Sequence, residues 1–388
     1  MSNSPAKLKP SLYHNAKMTE RSRREGLVRI LEAPRNMPRL APDFVQDLSE
    51  ASLTYQPSPI QNIHGSFLMH RQNALLFGPN NLVTRDGFWS CETRNNKGYV
   101  IPYMHADFYS RMFPGPKPLV EFDQLPTRLD TSKLRLKDVE VIEEPVFLAT
   151  PLEPSIWGRW ITTVLPKILH HRNHAPDRRF LCHAAAPWQH DFLKTAGLPA
   201  ASLLPHDPGR TYICRDVMTV EFSDLDLNCS LAERAHLDKM SRGAEALPPG
   251  MSKIFVSRLS RSRANPDYRV LQNEAELAEA LEAIGFVTVE PEQLSVAQQI
   301  ALFAQADVVV CLGGSGLYNA AFCPRTALVV TIESSTNYID THAALLSSLK
   351  LHHGVIFGRE DPADPSPSHK RWSLDVKNAV RAIDAFIG

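Results

Sequence analysis

From Lys253 onward the apolar and polar positions follow two alternating periods. Short apolar runs, KIFVSR (253–258), FVTVEP (286–291), DVVVCLG (307–313), ALVVTIE (327–333) and GVIFG (354–358), predict buried strands. Between them, NEAELAEALEAIG (273–285), SVAQQIALFAQA (295–306) and HAALLSSLK (342–350) space their apolar residues as one face of a helix, as does the terminal DVKNAVRAIDAFI (375–387). Asn273 and Ser295 stand where N-caps are expected, and Gly285 where a helix ends in a left-handed residue. LYNAAFC (317–323) is expected to open a further helix. Strands joined by helical crossovers require a parallel sheet with right-handed connections.

Before LPPG (247–250), a linker by composition, the alternation is weaker. WGRWITTVLPKILHHR (157–172) has helical spacing, with Pro166 expected to kink or break it. RRFLCHA (178–184) and YICRDVMTVEF (212–222) predict strands, and PWQHDFLKTAG (187–197) a helix closed by Gly197. Residues 40–145 read as β-rich, with turns at Gly78-Pro79-Asn80-Asn81 and Asp86-Gly87, a loop at PGPKP (114–118), and a strand in EPVFLAT (144–150). The predicted organisation is a basic, partly flexible arm (1–40), a β-rich plus Rossmann-like domain (41–248) and a C-terminal Rossmann-like domain (251–388).

Composition changes little. The net charge of zero offers no whole-molecule attraction to nucleic acid or to a membrane. Residues 1–39 alone are biased, with nine Lys/Arg against three Glu, which suits contact with an anionic surface or a solvated tail. The six cysteines form no CxxC pair and imply neither zinc nor a disulfide framework. With no apolar leader or membrane-length segment, a cytoplasmic protein is expected, peripheral at the inner membrane face if the arm binds there.

The candidate chemistry sits at strand ends. CLGGSGLYN (311–319) lies between a buried strand and a helix, and Gly313, Gly314 and Gly316 allow a ligand close to the backbone. The amides there favour an anion. Glu333 ends the next strand, where a carboxylate can accept both hydroxyls of a ribose. Arg258 ends strand 253–258, Arg269 follows eleven residues later, and two guanidinium groups suit a diphosphate. The plainer alternatives are a tight turn for the glycines, a cap or ion pair for Glu333, and a solvated basic loop for the arginines, above all Arg261 and Arg263.

Taken in order, Ser257-Arg258, Arg269, Asn273-Glu274, Gly285-Phe286, Leu294 to Phe303 and Ala306 to Val310 resemble glycosyltransferase family 61. The same pattern continues through Gly314, Gly316, Asn319, Phe322 and Glu333. The resemblance is dense over residues 253–333 and weaker over 60–387. It implies an α/β protein of GT-B type, with two Rossmann-like domains facing a cleft and an N-terminal β-rich region. It also implies an inverting, metal-independent transferase with no cofactor, the nucleotide-sugar being a co-substrate. On that reading the donor side comprises Arg258, Arg269, Gly313, Gly314, Ser315, Gly316, Asn319 and Glu333. Trp157, Arg159 and Trp160 face a glycan or lipid-linked acceptor, and nucleic acid is not a partner. The family usually carries His where this chain has Gly313 and Arg159. No base is therefore assigned; Arg159, His105 and Asp107 are named as candidates, and Glu153, His170, His171 and His206 are nominal ones. The rival expectation is a catalytically degenerate glycan-binding or scaffold member of the same fold. Donor, acceptor, linkage and oligomeric state are not readable from the chain.

Overall fold

The computed structural model describes residues 28–33, 35–49, 59–63, 66–83, 89–90, 139–222, 231–246, 248, 250–266, 269–335, 340–366 and 370–388. His105, Asp107, the Asp86-Gly87 turn, the 114–118 loop and most of the basic arm lie outside them. The chain divides into two compact units, residues 1–35 with 62–226, and residues 36–61 with 227–388.

The first unit is built on a mixed sheet. The strands used below are β1 (Ser66–Phe77), β2 (Val146–Leu148), β3 (Arg179–Cys182), β4 (Leu203–Pro205) and β5 (Thr211–Phe222). β2, β3, β4 and β5 are mutually parallel in the order β4-β3-β2-β5. That is the 3-2-1-4 order of a Rossmann-type half. β5 then pairs antiparallel with β1, which adds the hairpin strands Asn81–Val83 and Trp89–Ser90 on one edge. Gly78, at φ +57°, begins the first hairpin turn, as its sequence predicts.

Two helical crossovers join the parallel strands. The first runs without interruption from Trp157 to His174, ending in α1 (Leu165–His174). Pro166 does not break it. The turn before it, Trp160–Val164, widens to π geometry, in which Leu165 N–H reaches Trp160 O, and the proline sits in the first turn of the α segment that follows. The second crossover is α2 (Pro187–Thr195), closed by Gly197 at φ +81°. Trp160, wholly buried, packs edge-on against Trp188 and Phe192 of α2.

The second unit holds a sheet with strands β6 (Lys253–Val256), β7 (Val287–Val289), β8 (Val308–Leu312), β9 (Leu328–Ser334) and β10 (His352–Glu360). All are parallel and their order is β7-β6-β8-β9-β10. The crossing helices include α3 (Glu274–Glu282), α4 (Val296–Ala304) and α5 (Asp340–Leu349), with α6 (Val376–Ile387) at the end of the chain. Ser295 caps α4 reciprocally with Gln298, and Asp375 caps α6. The segment after β8 differs from expectation: Ser315–Phe322 is a 3-10 helix rather than an α-helix. Strand Phe44–Asp47 from far upstream adds to β10 in parallel. Gly354 makes room for it, because a Cβ there would collide with the Phe44 ring. Among the described residues no helix is long and apolar enough to cross a membrane.

Candidate functional site

In the second unit the chain leaves β6 toward β7 on one side and later returns through β8 on the other. This reversal makes a topological switch point at the carboxyl ends of β6 and β8, the place where open α/β sheets bind ligands. Ser257 and Arg258 follow β6, and Gly313 and Gly314 follow β8.

Arg258 bridges the two strand ends. Its Nη1 donates to the carbonyl of Gly313 at 2.8 Å, and its guanidinium lies beside Gly314. Gly314 has φ +153° and ψ −169°, a region open essentially to glycine alone. A Cβ on Gly316 would press on Val256, so that glycine serves close packing of the 3-10 turn on β6. Ser315 begins the turn.

Beneath the loop lies a carboxylate. Glu333, at the end of β9 and 3% exposed, fills the space below Gly313 so closely that a Cβ there would collide with it. Its Oε1 is hydrogen-bonded to Nδ1 of His342 on α5 at 2.8 Å, and His342 is 2% exposed. Its Oε2 takes no bond among the described residues. A second carboxylate supports Arg258 from the other side. Glu274, at the start of α3 and 1% exposed, accepts from Ser257 Oγ at 2.8 Å and from the Arg258 backbone N–H at 2.5 Å through the same oxygen. Burial pushes the Glu274 carboxyl above its ordinary range, against the pull of the Arg258 and Ser257 bonds. Its Oε2 is buried without a hydrogen-bond partner.

The structure therefore brings Arg258, Gly313, Gly314, Gly316 and Glu333 together. Arg269 adopts φ +55°, and its carbonyl accepts from Trp372 Nε1 at 3.4 Å. Asn319 is fully buried and donates to Gln299 of α4, and Asn273 exchanges two bonds with Leu374. Arg261 and Arg263 are exposed. Sequence reasoning did not assign roles to Glu274 or His342. Glu274 carried a signal, a carboxylate beside a helix start; His342 carried none, since only the fold aims it at Glu333.

In the first unit, Arg159 pairs with Glu153 at 2.9 Å. Trp160 donates from Nε1 to Pro154 O at 2.7 Å, and Trp157 stacks at an angle on Trp188. His171 is held by Arg178 O, and burial lowers His170 to about 4 and His206 to about 3. The four described cysteines, Cys182, Cys214, Cys311 and Cys323, form no disulfide and are buried.

The fold and this site define an α/β protein in which an arginine and a glycine-rich turn meet at a sheet switch point above a buried carboxylate. Residues 157–330 match the family model described as Glycosyltransferase 61, which supports assignment of that stretch to glycosyltransferase family 61 and indicates glycosyltransferase activity. The match takes in Arg258, Glu274 and the 313–316 loop and ends just before Glu333. No curated protein matches the chain.

Proposed function

We propose that the protein moves one sugar from a nucleotide-sugar donor to a glycan or glycolipid acceptor, with inversion and without a metal, in the building of a cell-surface polysaccharide. The supporting observation is the convergence of the Arg258 guanidinium, the Gly313–Gly316 backbone and Glu333 at one carboxyl-edge switch point. In this reading Arg258 and the loop amides hold the diphosphate, and Arg269 supplements them. They stabilise the charge that develops on the leaving group, as fixed dipoles and guanidinium groups do when no reorganisation is needed. Glu333 keeps Oε1 on His342 and offers Oε2 to a ribose hydroxyl. Ser315 contributes a backbone amide, and Asn319 holds the turn from within. The first unit, through Trp157 and Arg159, serves the acceptor; Trp160, expected beside them, is wholly buried and packs the first crossover instead. The basic N-terminal arm would hold the enzyme at the cytoplasmic membrane face.

Calorimetric titration with UDP, GDP, CDP and dTDP tests this. Binding of at least one, weakened tenfold or more by Arg258→Ala and by Glu333→Ala, is expected. If none binds, or if both variants bind as the wild type does, the donor site is refuted. The specific observation behind a binding-only alternative is that Glu333 leaves no room for a side chain at 313. Donor turnover abolished by Arg258→Ala excludes it.

A further inference from the structure

The first unit has a switch point of its own. From β2 the chain passes outward through β3 to β4, then returns past β2 to β5 on its other side. Open α/β sheets bind ligands beyond the carboxyl end of the strand where the direction reverses, which here is the loop after β2, residues 149–156. Two sets of bonds hold that loop. The strand ends beside it close into a ring: His183 backbone N–H donates to Thr150 Oγ1 at 2.9 Å, Thr150 Oγ1 is hydrogen-bonded to His206 Nδ1 at 2.7 Å, and His183 Nδ1 donates to the His206 carbonyl at 2.9 Å. The Pro154 carbonyl accepts from Trp160 Nε1 and from Nε2 of the buried Gln189, each at 2.7 Å. Gln189 Oε1 in turn accepts from the Ala185 and Ala186 backbone N–H groups, so the loops after β2 and β3 are tied together.

This frame presents an ion pair and two indoles. Arg159 Nε lies 2.9 Å from Glu153 Oε2, with the two side chains 16% and 32% exposed. The pair uses one atom of each partner, and Arg159 Nη1, Arg159 Nη2 and Glu153 Oε1 take no bond among the described residues. Donors and an acceptor thus lie side by side, the complement of two adjacent hydroxyls, each of which both donates and accepts. Trp157 and Trp188 stand in the first turns of the two crossover helices, half-buried, with ring centroids 5.5 Å apart. The Trp188 indole N–H also takes no bond among the described residues. A half-exposed indole offers a flat apolar face with a donor at its rim, on which the C–H face of a sugar ring can stack.

We propose that this edge of the first unit binds a neutral pyranose, with Glu153 and Arg159 clamping two adjacent hydroxyls and Trp188, backed by Trp157, stacking on the ring. The inference rests on the reading of the first unit as the acceptor side, and it names the group recognised there as a sugar rather than a lipid diphosphate. The Glu153 carboxylate balances the guanidinium charge and would meet any phosphate with like charge, so the pair selects hydroxyls over an anion. The bonds to Pro154 and Thr150 hold the loop before any ligand arrives, which keeps the ordering cost of binding a single sugar low.

Saturation-transfer NMR on the full chain tests this, with the methyl α- and β-glycosides of glucose, galactose, mannose, xylose and N-acetylglucosamine as probes and geranyl diphosphate as competitor. Saturation of at least one glycoside is expected, strongest on the C–H protons of one ring face and unaffected by geranyl diphosphate. Glu153→Gln and Trp188→Leu should each weaken that binding about tenfold, a loss of about 1.4 kcal/mol. Trp188→Phe, which keeps an aromatic face, should lose less, and it carries the test of stacking if Trp188→Leu fails to fold. Binding equal to wild type in Glu153→Gln and in the Trp188 variants places the sugar elsewhere and overturns the proposal. Displacement of the glycoside by geranyl diphosphate overturns the choice of a sugar over a lipid diphosphate. Saturation of none of the glycosides, while a nucleoside diphosphate still binds, overturns the proposal and leaves the donor site standing. Glycoside binding without binding of any nucleoside diphosphate refutes the donor site and leaves the proposal standing.

Discussion

The Glu333 carboxylate occupies the space that any side chain at residue 313 would need. The loop and the strand end are thus fitted to each other, and neither can be changed alone. Gly313→Ala is expected to cost about 1–3 kcal/mol of stability, the usual penalty for overpacking, and to weaken nucleotide binding by displacing the Arg258–Gly313 bond. Thermal melts with calorimetry check both. A variant as stable as wild type would mean that Glu333 swings aside freely. Gly313→Ala combined with Glu333→Ala should recover part of the lost stability, because the clash goes with the carboxylate.

His342 holds Glu333 from the helix side, with both side chains buried. Removing one partner of a buried hydrogen-bonded pair leaves the other desolvated. His342→Ala should therefore cost about 3 kcal/mol and weaken binding of the preferred nucleotide, whereas His342→Gln, which can still donate, should cost less. Urea unfolding of the two variants gives the comparison. Equal losses would show that packing rather than the bond matters.

Glu274 positions Arg258 without being exposed itself. Its loss frees the Ser257 hydroxyl and the Arg258 amide together. Glu274→Ala is predicted to lower nucleotide affinity about tenfold and to destabilise by about 2–3 kcal/mol, since hydrogen bonds to a charged group are among the stronger ones. An affinity equal to wild type, measured by the same titration, would remove Glu274 from the site's support.

Acid should destabilise the first unit through its buried histidines. Burial lowers His170 to about 4, with His174 adding to the effect, and lowers His206 to about 3. Unfolded, each has a pKa near 6.5. The unfolded chain therefore binds more protons, so the stability is fully present above pH 6.5 and is lost progressively as pH falls toward 4 and then 3. Melting temperatures between pH 7.5 and 4.5 should fall, and His206→Asn should flatten the slope. A slope identical in wild type and variant would show that His206 does not carry the effect.

Much of this protein follows from its chain locally. The strands and helices of residues 253–387 match their apolar periods, Ser295 caps its helix with Gln298, and Gly197 and Gly285 take left-handed conformations where helices end. Those features depend on residues within a turn or two of each other, so the sequence carries them openly. It also placed Arg258, the 313–316 glycines and Glu333 at strand ends, because strand ends are set by where the apolar runs stop. Pro166 and the 317–323 segment misled for a related reason. Whether a helix widens to π geometry or tightens to 3-10 depends on what packs on it, as Gly316 packs on Val256.

Only the tertiary structure decided which strand ends meet. The order β7-β6-β8 sets Arg258 against Gly313, 55 positions away. The same non-local pairing brings Phe44–Asp47 beside β10, aims His342 at Glu333, and closes Thr150, His183 and His206 into a ring. Strand pairing depends on burying complementary faces across long loops, and no local period records which faces those are. The chain by itself therefore determined the elements and the chemistry they carry, and the packing of the sheets decided which of those groups act together.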